Sequence, residues 1–241
     1  MTFDNSYADA GYADAYATLE FHRTYHLAYR DLPEIFRTHV AGRRALDFGC
    51  GAGRSTRFLR GLGFEAVGAD ISPAMIAKAH GLDPAGDYRL VRDDDHGPLA
   101  GAGFDLVFSG FTFDNIPTHE RKVALFRSLH GLLNRGGRIV NLVSSPELYT
   151  HEWASFSTRD FPENRHARSG DVVRDVITDI PDRRPVEDIF WTEESYREVY
   201  AAAGLEAAAK YAPLARGDEP YEWVNETRIA PWHIYVLSSV A

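Results

Sequence analysis

"RALDFGCGAGRSTRFL" runs from Arg44 to Leu59. A short apolar stretch holding one acid, Asp47, leads into three glycines on alternate positions, Gly49, Gly51 and Gly53, and a helical segment follows. Glycines let the backbone of such a turn approach a ligand closely, and the helix behind it offers its free N–H groups to an anion. The dinucleotide fingerprint needs Gly-x-Gly-x-x-Gly/Ala, because the last small residue lets helix and strand pack closely. Counted from Gly49, that place is taken by Arg54, a bulky cation and a poor fit to a nicotinamide or flavin dinucleotide. Gly-x-Gly-x-Gly instead brings three backbone units against a ligand lying across the turn. Cys50, between two of the glycines, reads as a small buried apolar residue rather than a nucleophile.

Outward from the turn the pattern alternates. "ALDF" (45–48) reads as a buried strand, "RSTRFLRGLG" (54–63) as a helix and "EAVGAD" (65–70) as a strand. "SPAMIAKAHG" (72–81) reads as a helix with Ser72 at its cap and Pro73 at its first position. "YRLV" (88–91), "FDLVFS" (104–109), the helix "HERKVALFRSLHGLL" (119–133) and "GGRIVNLVSS" (136–145) continue the series. Strands alternating with helices predict a parallel sheet covered on both faces. Residues 8–40 read as helical, with Tyr12/Tyr16 and Tyr25/Tyr29 each four apart; a new helix is expected near Pro33, with Asp31 as cap. Residues 146–191 lose the helical period and are rich in charge and aromatics, the texture of an insertion. "TEESYREVYAAAGL" (192–205) returns to helix behind Thr192, and "EAAAKYA" (206–212) and "HIYVLSS" (233–239) read as two closing antiparallel strands.

The chain has 241 residues, 44% apolar and 25% charged, enough for one full core without staples. Its 26 Lys and Arg against 35 Asp and Glu give a net charge of −9, which opposes the basic footprint that nucleic-acid binding requires. One cysteine permits no intrachain disulfide. The N-terminus lacks a secretory pattern and no apolar run spans a bilayer, so a cytoplasmic protein with no membrane partner is expected.

Four stretches in order resemble the class I S-adenosylmethionine-dependent methyltransferases. "LDFGCGAG" (46–53) is similar to their first motif and "AVGADIS" (66–72) to their second-strand motif. "VRDDDHGPLAGAGFDLVFS" (91–109) is similar to their third-to-fourth-strand region, and "LHGLLNRGGRIV" (129–140) to the approach to the fifth strand. The likeness covers residues 40–145 closely and the C-terminal hairpin loosely. It implies a Rossmann-like, doubly wound seven-stranded α/β sheet with an antiparallel C-terminal hairpin and helices on both faces. A helical lid (1–40), a cofactor-binding core (41–145), a substrate-cap insertion (146–191) and a C-terminal helix with closing strands (192–241) would form one domain. S-adenosylmethionine is then the cofactor, leaving as S-adenosylhomocysteine. Asp70, 17 residues after Gly53, would chelate the ribose hydroxyls, and Asp93, with Asp94 beside it, would meet the adenine amino group. Asp47 would order the turn or meet the cofactor's ammonium group, and Arg30 could reach its carboxylate. The turn residues Gly49, Cys50, Gly51 and Gly53, together with Ile71, Met75, Ser109 and Tyr16, complete the implied cofactor set.

The turn after the fourth strand, "SGFTFDNIP" (109–117), lacks the Asn/Asp-Pro-Pro-aromatic motif of family members that methylate DNA or protein amides, and the Pro-Cys pair of cytosine enzymes. With the acidic charge, this points to a small-molecule acceptor; an aromatic or heterocyclic metabolite methylated on O or N is expected, and the protein is expected to be a monomer or homodimer. Tyr7, Phe111, Phe113, Tyr149, Trp153, Trp191, Tyr221 and Trp223 are the expected acceptor walls. Asp114 and His119 are the candidate bases, if a base is used at all, and no metal-ligating motif stands out. A non-catalytic binding relative of the same fold and an NAD-dependent enzyme are the alternatives.

Overall fold

The computed structural model describes residues 11, 18, 19, 21–92, 97–99 and 101–240. Its strands Arg44–Phe48 (β1), Glu65–Asp70 (β2), Asp87–Leu90 (β3), Phe104–Gly110 (β4), Leu133–Ser144 (β5), Leu205–Tyr211 (β9) and Trp232–Ser239 (β10) form one sheet in the order β3-β2-β1-β4-β5-β10-β9. β1 to β5 run parallel, and β10 lies antiparallel between β5 and β9. Between them pass the helices Arg54–Gly61 (α3), Pro73–Leu82 (α4), His119–His130 (α5) and Glu193–Ala202 (α6), preceded by Thr24–Arg30 (α1) and Leu32–His39 (α2). This is the doubly wound fold with an antiparallel closing pair that the sequence pattern predicts.

The central strands β1, β4, β10 and the end of β5 are buried on both faces, so their apolar runs are nearly continuous. Leu106, Phe108, Val140, Leu142, Ile234 and Val236 meet Leu27, Leu32, Ile35, Phe36 and Leu59 on one face. Val107, Ile139, Val143, Tyr235 and Leu237 meet Val123, Phe126, Leu129, Val199 and Tyr200 on the other. In this second core Phe126 stacks on Phe113 at 3.9 Å between ring centroids and meets Tyr200 edge-on at 5.1 Å.

Two of the predicted caps form: Ser72 accepts from the Met75 amide at 3.3 Å and Thr192 from the Ser195 amide at 3.2 Å. Asp31 does not cap α2, because Arg30 takes both its carboxylate oxygens at 2.8 Å each. The helix expected over 119–133 stops at His130, where the Gly131 amide bonds the Arg127 carbonyl, and β5 starts at Leu133, before the two glycines. The segment 146–191 holds a small antiparallel sheet that sequence patterning missed, of Phe156–Ser157 (β6), Val172–Ile177 (β7) and Val186–Ile189 (β8). Its strands are two to six residues long, and its inward positions mix apolar residues with acids, Val173, Asp175 and Ile177 on β7 and Val186 and Asp188 on β8.

One buried carboxylate ties the insertion to both ends of the chain. Glu226 Oε1 accepts from Thr24 Oγ1 and the Ala154 amide at 2.7 Å each, and Oε2 accepts from the Val224 and Asn225 amides at 2.8 and 3.1 Å. Four donors on one carboxylate offset the cost of burying it.

Replacing Phe126 by alanine empties the centre of the second core, and the expected loss is about 3–5 kcal/mol of unfolding free energy. Urea denaturation of the purified variant reads this directly, and a loss below 1 kcal/mol would contradict the packing.

Candidate functional site

The glycine turn sits at the carboxyl ends of β1 and β2, where open α/β sheets bind ligands. The Gly49 and Cys50 amides bond the Ala69 carbonyl at 2.8 and 3.0 Å, which pins the turn to β2. All three glycines have left-handed backbones, with φ of 76°, 51° and 81°. Their surroundings differ. A Cβ on Gly49 would lie 2.0 Å from Thr112 Oγ1 and one on Gly53 2.6 Å from the Tyr88 hydroxyl, whereas one on Gly51 would meet only Met75 Sδ at 4.0 Å. Gly49 and Gly53 are therefore small because protein presses on them, and Gly51 faces open space.

Asp47 is fully buried. Its Oδ2 accepts from the Ser55 and Thr56 hydroxyls at 2.6 Å each, fastening the first turn of α3 to β1, while its Oδ1 has no hydrogen-bond partner among the described residues. Burial pushes its carboxyl up to about 6, against the pull of the two hydroxyls. Asp70, at the end of β2, accepts from the Gly51 and Ser72 amides at 2.8 Å each. Burial raises its carboxyl above the ordinary range, and these amides oppose the shift. Beside it Ile71 is 48% exposed, while Met75 and Cys50 are buried, and burial pushes the Cys50 thiol well up and away from reactivity. Arg54 lays its guanidinium 5.2 to 5.8 Å from the ring centroids of Tyr25, Phe21 and Tyr29.

A cavity of about 30 Å³ lies past the carboxyl ends of β4 and β5, between the sheet and the insertion. Tyr25, Phe111, Phe156 and Trp232 line it together with Asp114, Asp175 and Asp188. Phe111 is held at φ 65°, a left-handed conformation that costs a non-glycine residue about 1–2 kcal/mol. Its amide bonds the Leu142 carbonyl at 2.8 Å, and its ring packs 4.9 Å from Trp232 and 5.9 Å from Tyr25. Asp114 Oδ2 accepts from both the amide and the hydroxyl of Ser144 at 3.0 Å. Thr112, between Phe111 and Asp114, donates to the Phe48 carbonyl at 3.0 Å, so the post-β4 turn rests directly on the glycine turn.

The other expected site residues divide. Ser109, fully buried at the end of β4, leaves its Oγ without a partner. Arg30, expected to reach the cofactor, is committed to Asp31 and, at 2.8 Å, to Glu219. Phe113 stacks in the second core rather than in the cavity wall. Trp153 donates to the Leu148 carbonyl at 2.8 Å inside the first core. Trp191 covers the Lys122 ammonium at 4.9 Å, with His119 beyond it and outside the cavity lining. Tyr149 donates to Asp188 at 3.0 Å from behind. Tyr221 and Trp223 pack on each other at 5.2 Å in the loop before β10. Tyr7, Tyr16, Asp93 and Asp94 lie outside the described residues. Sequence reading missed Asp175, Asp188 and Lys122. Its available signal was an acid in the inward phase of two short strands, "VVRDVI" and "VEDI".

Residues 46–141 match the family described as a methyltransferase domain. The ubiquinone biosynthesis O-methyltransferase of Nitrosococcus oceani is 26% identical over 193 residues, covering 76% of this chain and 74% of that protein. The malonyl-[acyl-carrier protein] O-methyltransferase of Enterobacter lignolyticus is 35% identical over 94 residues, but these are 39% of this chain and 36% of that protein. Among solved structures, the CcbJ methyltransferase of Streptomyces caelestis superposes with a TM-score of 0.70 at 18% identity, covering 99% of this chain and 100% of that one.

Asp47 generates a pH-dependent prediction. Its carboxyl is raised in the folded state and sits near 3.8 when unfolded, so the folded state binds the extra proton and gains stability as pH falls through about 6. Relative to Asp47→Asn, wild-type unfolding free energy should therefore rise by on the order of 2–3 kcal/mol between pH 7 and pH 4. Parallel urea titrations across that range check it; a difference independent of pH would contradict the assignment.

Proposed function

Because the chain belongs to the class I S-adenosylmethionine-dependent methyltransferases, we propose that it methylates an oxygen or nitrogen atom of a small aromatic or heterocyclic metabolite, as natural-product tailoring enzymes do. The residues around the glycine turn fit the cofactor that this family implies. Asp70 keeps lone pairs on both oxygens beyond those its two amides use, enough to accept from a vicinal diol. Gly51 leaves space where a Cβ would stand, and the half-exposed Ile71 offers an apolar surface beside it. Asp47, with one buried oxygen unpaired, would complement an ammonium group. When bound, the cofactor supplies a methyl group on a sulfonium, an electrophile needing little further activation. The chain's own part is then to seat the acceptor, exclude water and take a proton.

The observation that carries the reading is the cavity beyond β4. It opens beside the turn that rests on the glycines, it is walled by the insertion, and its 30 Å³ gives room for the reacting functional group of an acceptor. Asp114, in its lining, is the base this reading assigns, because a base must come within hydrogen-bond reach of the acceptor. His119 lies outside the lining and is given no role.

Calorimetric titration with S-adenosylmethionine and S-adenosylhomocysteine, followed by transfer of a labelled methyl group to small-molecule acceptors, tests the proposal; absence of cofactor binding would overturn it. Asp70→Ala should weaken cofactor binding by about 1.5–3 kcal/mol, the scale of hydrogen bonds to a charged group. Gly51→Ala should fold, with a modest loss of melting temperature from its φ, yet bind cofactor at least ten times more weakly. Unchanged affinity in both variants would place the cofactor elsewhere.

A further inference from the structure

The acids around the cavity exceed what the protein itself neutralises. Asp114, Asp175 and Asp188 come from the turn after β4, from β7 and from β8, and each is under 9% exposed. The buried cation near them is Lys122 on α5. It lies outside the cavity lining, donates to the Phe113 carbonyl and is roofed by Trp191 and Tyr196. With all three acids ionised, one ammonium leaves two negative charges uncompensated. Burying an unpaired carboxylate is expensive, and a core built only for stability would hold apolar residues there instead.

Asp175 is the decisive residue. It is 2% exposed, it lines the cavity, and its Oδ1 has no hydrogen-bond partner among the described residues, whereas Asp114 is held by Ser144 and Asp188 by Tyr149. The rest of the lining mixes aliphatic and polar residues with an aromatic wall, in which Tyr25, Phe156 and Trp232 pack 5.1 to 5.8 Å apart. Aromatic rings and an unpaired carboxylate together select a cation. Among the described residues no three His, Cys, Asp or Glu side chains are arranged to hold a metal ion, and the aromatic walls offer no ligand to one. An organic cation fits all of these features, and 30 Å³ is room for its head group.

We propose that the methyl acceptor is an amine, bound as its ammonium ion with Asp175 as counter-charge inside this cavity. The inference rests on the methyltransferase reading and narrows its acceptor from oxygen or nitrogen to nitrogen. An ammonium nitrogen has no lone pair, so one N–H proton must leave first. It passes to the Asp114 carboxylate; the N–H bond breaks as an O–H bond forms, and its electron pair stays on nitrogen. Burial raises Asp114, Asp175 and Asp188 above the ordinary carboxylate range, with neighbouring acids adding to the shift at Asp175 and Asp188, and this brings Asp114 closer to an amine as a proton acceptor. It also predicts that a cation entering the cavity expels protons from these acids. The groups facing them are Lys122 from α5, Tyr149 from the turn after β5, Tyr196 from α6 and Tyr25 from α1. Of these, Lys122 is the one basic group, and burial lowers its ammonium to about 7, so it titrates alongside the acids.

The test uses full-length protein saturated with S-adenosylhomocysteine. Primary and secondary amines are titrated calorimetrically, each paired with its uncharged alcohol isostere, for example benzylamine with benzyl alcohol. At least one amine should bind ten times or more tighter than its partner, with affinity rising several-fold from pH 6 to pH 8. Heats that vary with the buffer's ionisation enthalpy should report proton release. Asp175→Asn should lose at least tenfold in amine affinity while keeping its affinity for S-adenosylhomocysteine; should that variant not fold, the amine-to-alcohol comparison on wild type decides alone. Alcohols or phenols binding as tightly as amines, or labelled methyl transfer to phenols and to no amine, would overturn the proposal. Failure to bind S-adenosylhomocysteine at all would instead overturn the methyltransferase reading beneath it.

Discussion

Two hydroxyls on one buried carboxylate hold the first strand–turn–helix unit together. Ser55 and Thr56 donate to Asp47 from the first turn of α3, so the helix starts against β1 rather than swinging out from it. The intervening turn must then reverse within a few residues, and left-handed backbones at Gly49, Gly51 and Gly53 accomplish that. The same geometry directs the Gly51 amide to Asp70 at 2.8 Å and so couples the ends of β1 and β2. Remove the carboxylate and the turn loses its anchor, the second strand's acid loses a donor, and the open space above Gly51 loses its walls.

A second knot performs the corresponding task for the other half of the site. Glu226 gathers donors from α1, from the insertion and from the loop before β10, while Thr24 exchanges hydrogen bonds with Ser155 and its carbonyl accepts from Trp232. The cavity's aromatic walls are thus set by a polar network lying behind them. That network explains how three sequence-distant segments supply one lining, with Tyr25, Phe156 and Trp232 held in mutual contact.

The core sheet was legible because its strands are apolar runs and its helices carry local start signals. Ser72 and Thr192 cap where the pattern places them. Arg54, which argued against a dinucleotide, occupies its place by turning its guanidinium outward over Tyr25 and the rings beside it. The insertion was not legible. Its strands are short, and their inward positions carry Asp175 and Asp188, so periodicity alone disguises them. Asp31 and Arg30 misled for one reason. Each suits the role its own neighbourhood suggests, cap or cofactor ligand, but the fold pairs them with each other and brings Glu219 to Arg30 as well. The aromatic residues were harder still, since Phe113, Trp153 and Trp191 have the composition of a binding wall and the burial of a core.

Where local rules fail is informative, because natural sequences tolerate such failures chiefly at functional sites. Among the described residues, eight buried side-chain polar atoms lack a partner, and four of them belong to Asp47, Ser109, Asn115 and Asp175. Asp47 and Ser109 stand one residue before the ends of the neighbouring strands β1 and β4, and Asn115 and Asp175 line the cavity next to them. The strained Phe111 lies between these two pairs. A chain selected for stability alone would satisfy those atoms or replace them. These four lie near the carboxyl ends of the strands, from the glycine turn to the insertion, where the proposed cofactor and acceptor would supply the missing partners. On the proposed reading, a cation would complement the unpaired oxygen of Asp47, hydroxyl donors would complement Asp70, and a second cation would complement Asp175. The net charge of −9 is therefore not spread idly over the exterior; a share of it is spent inside the site, where low polarity makes each charge count most.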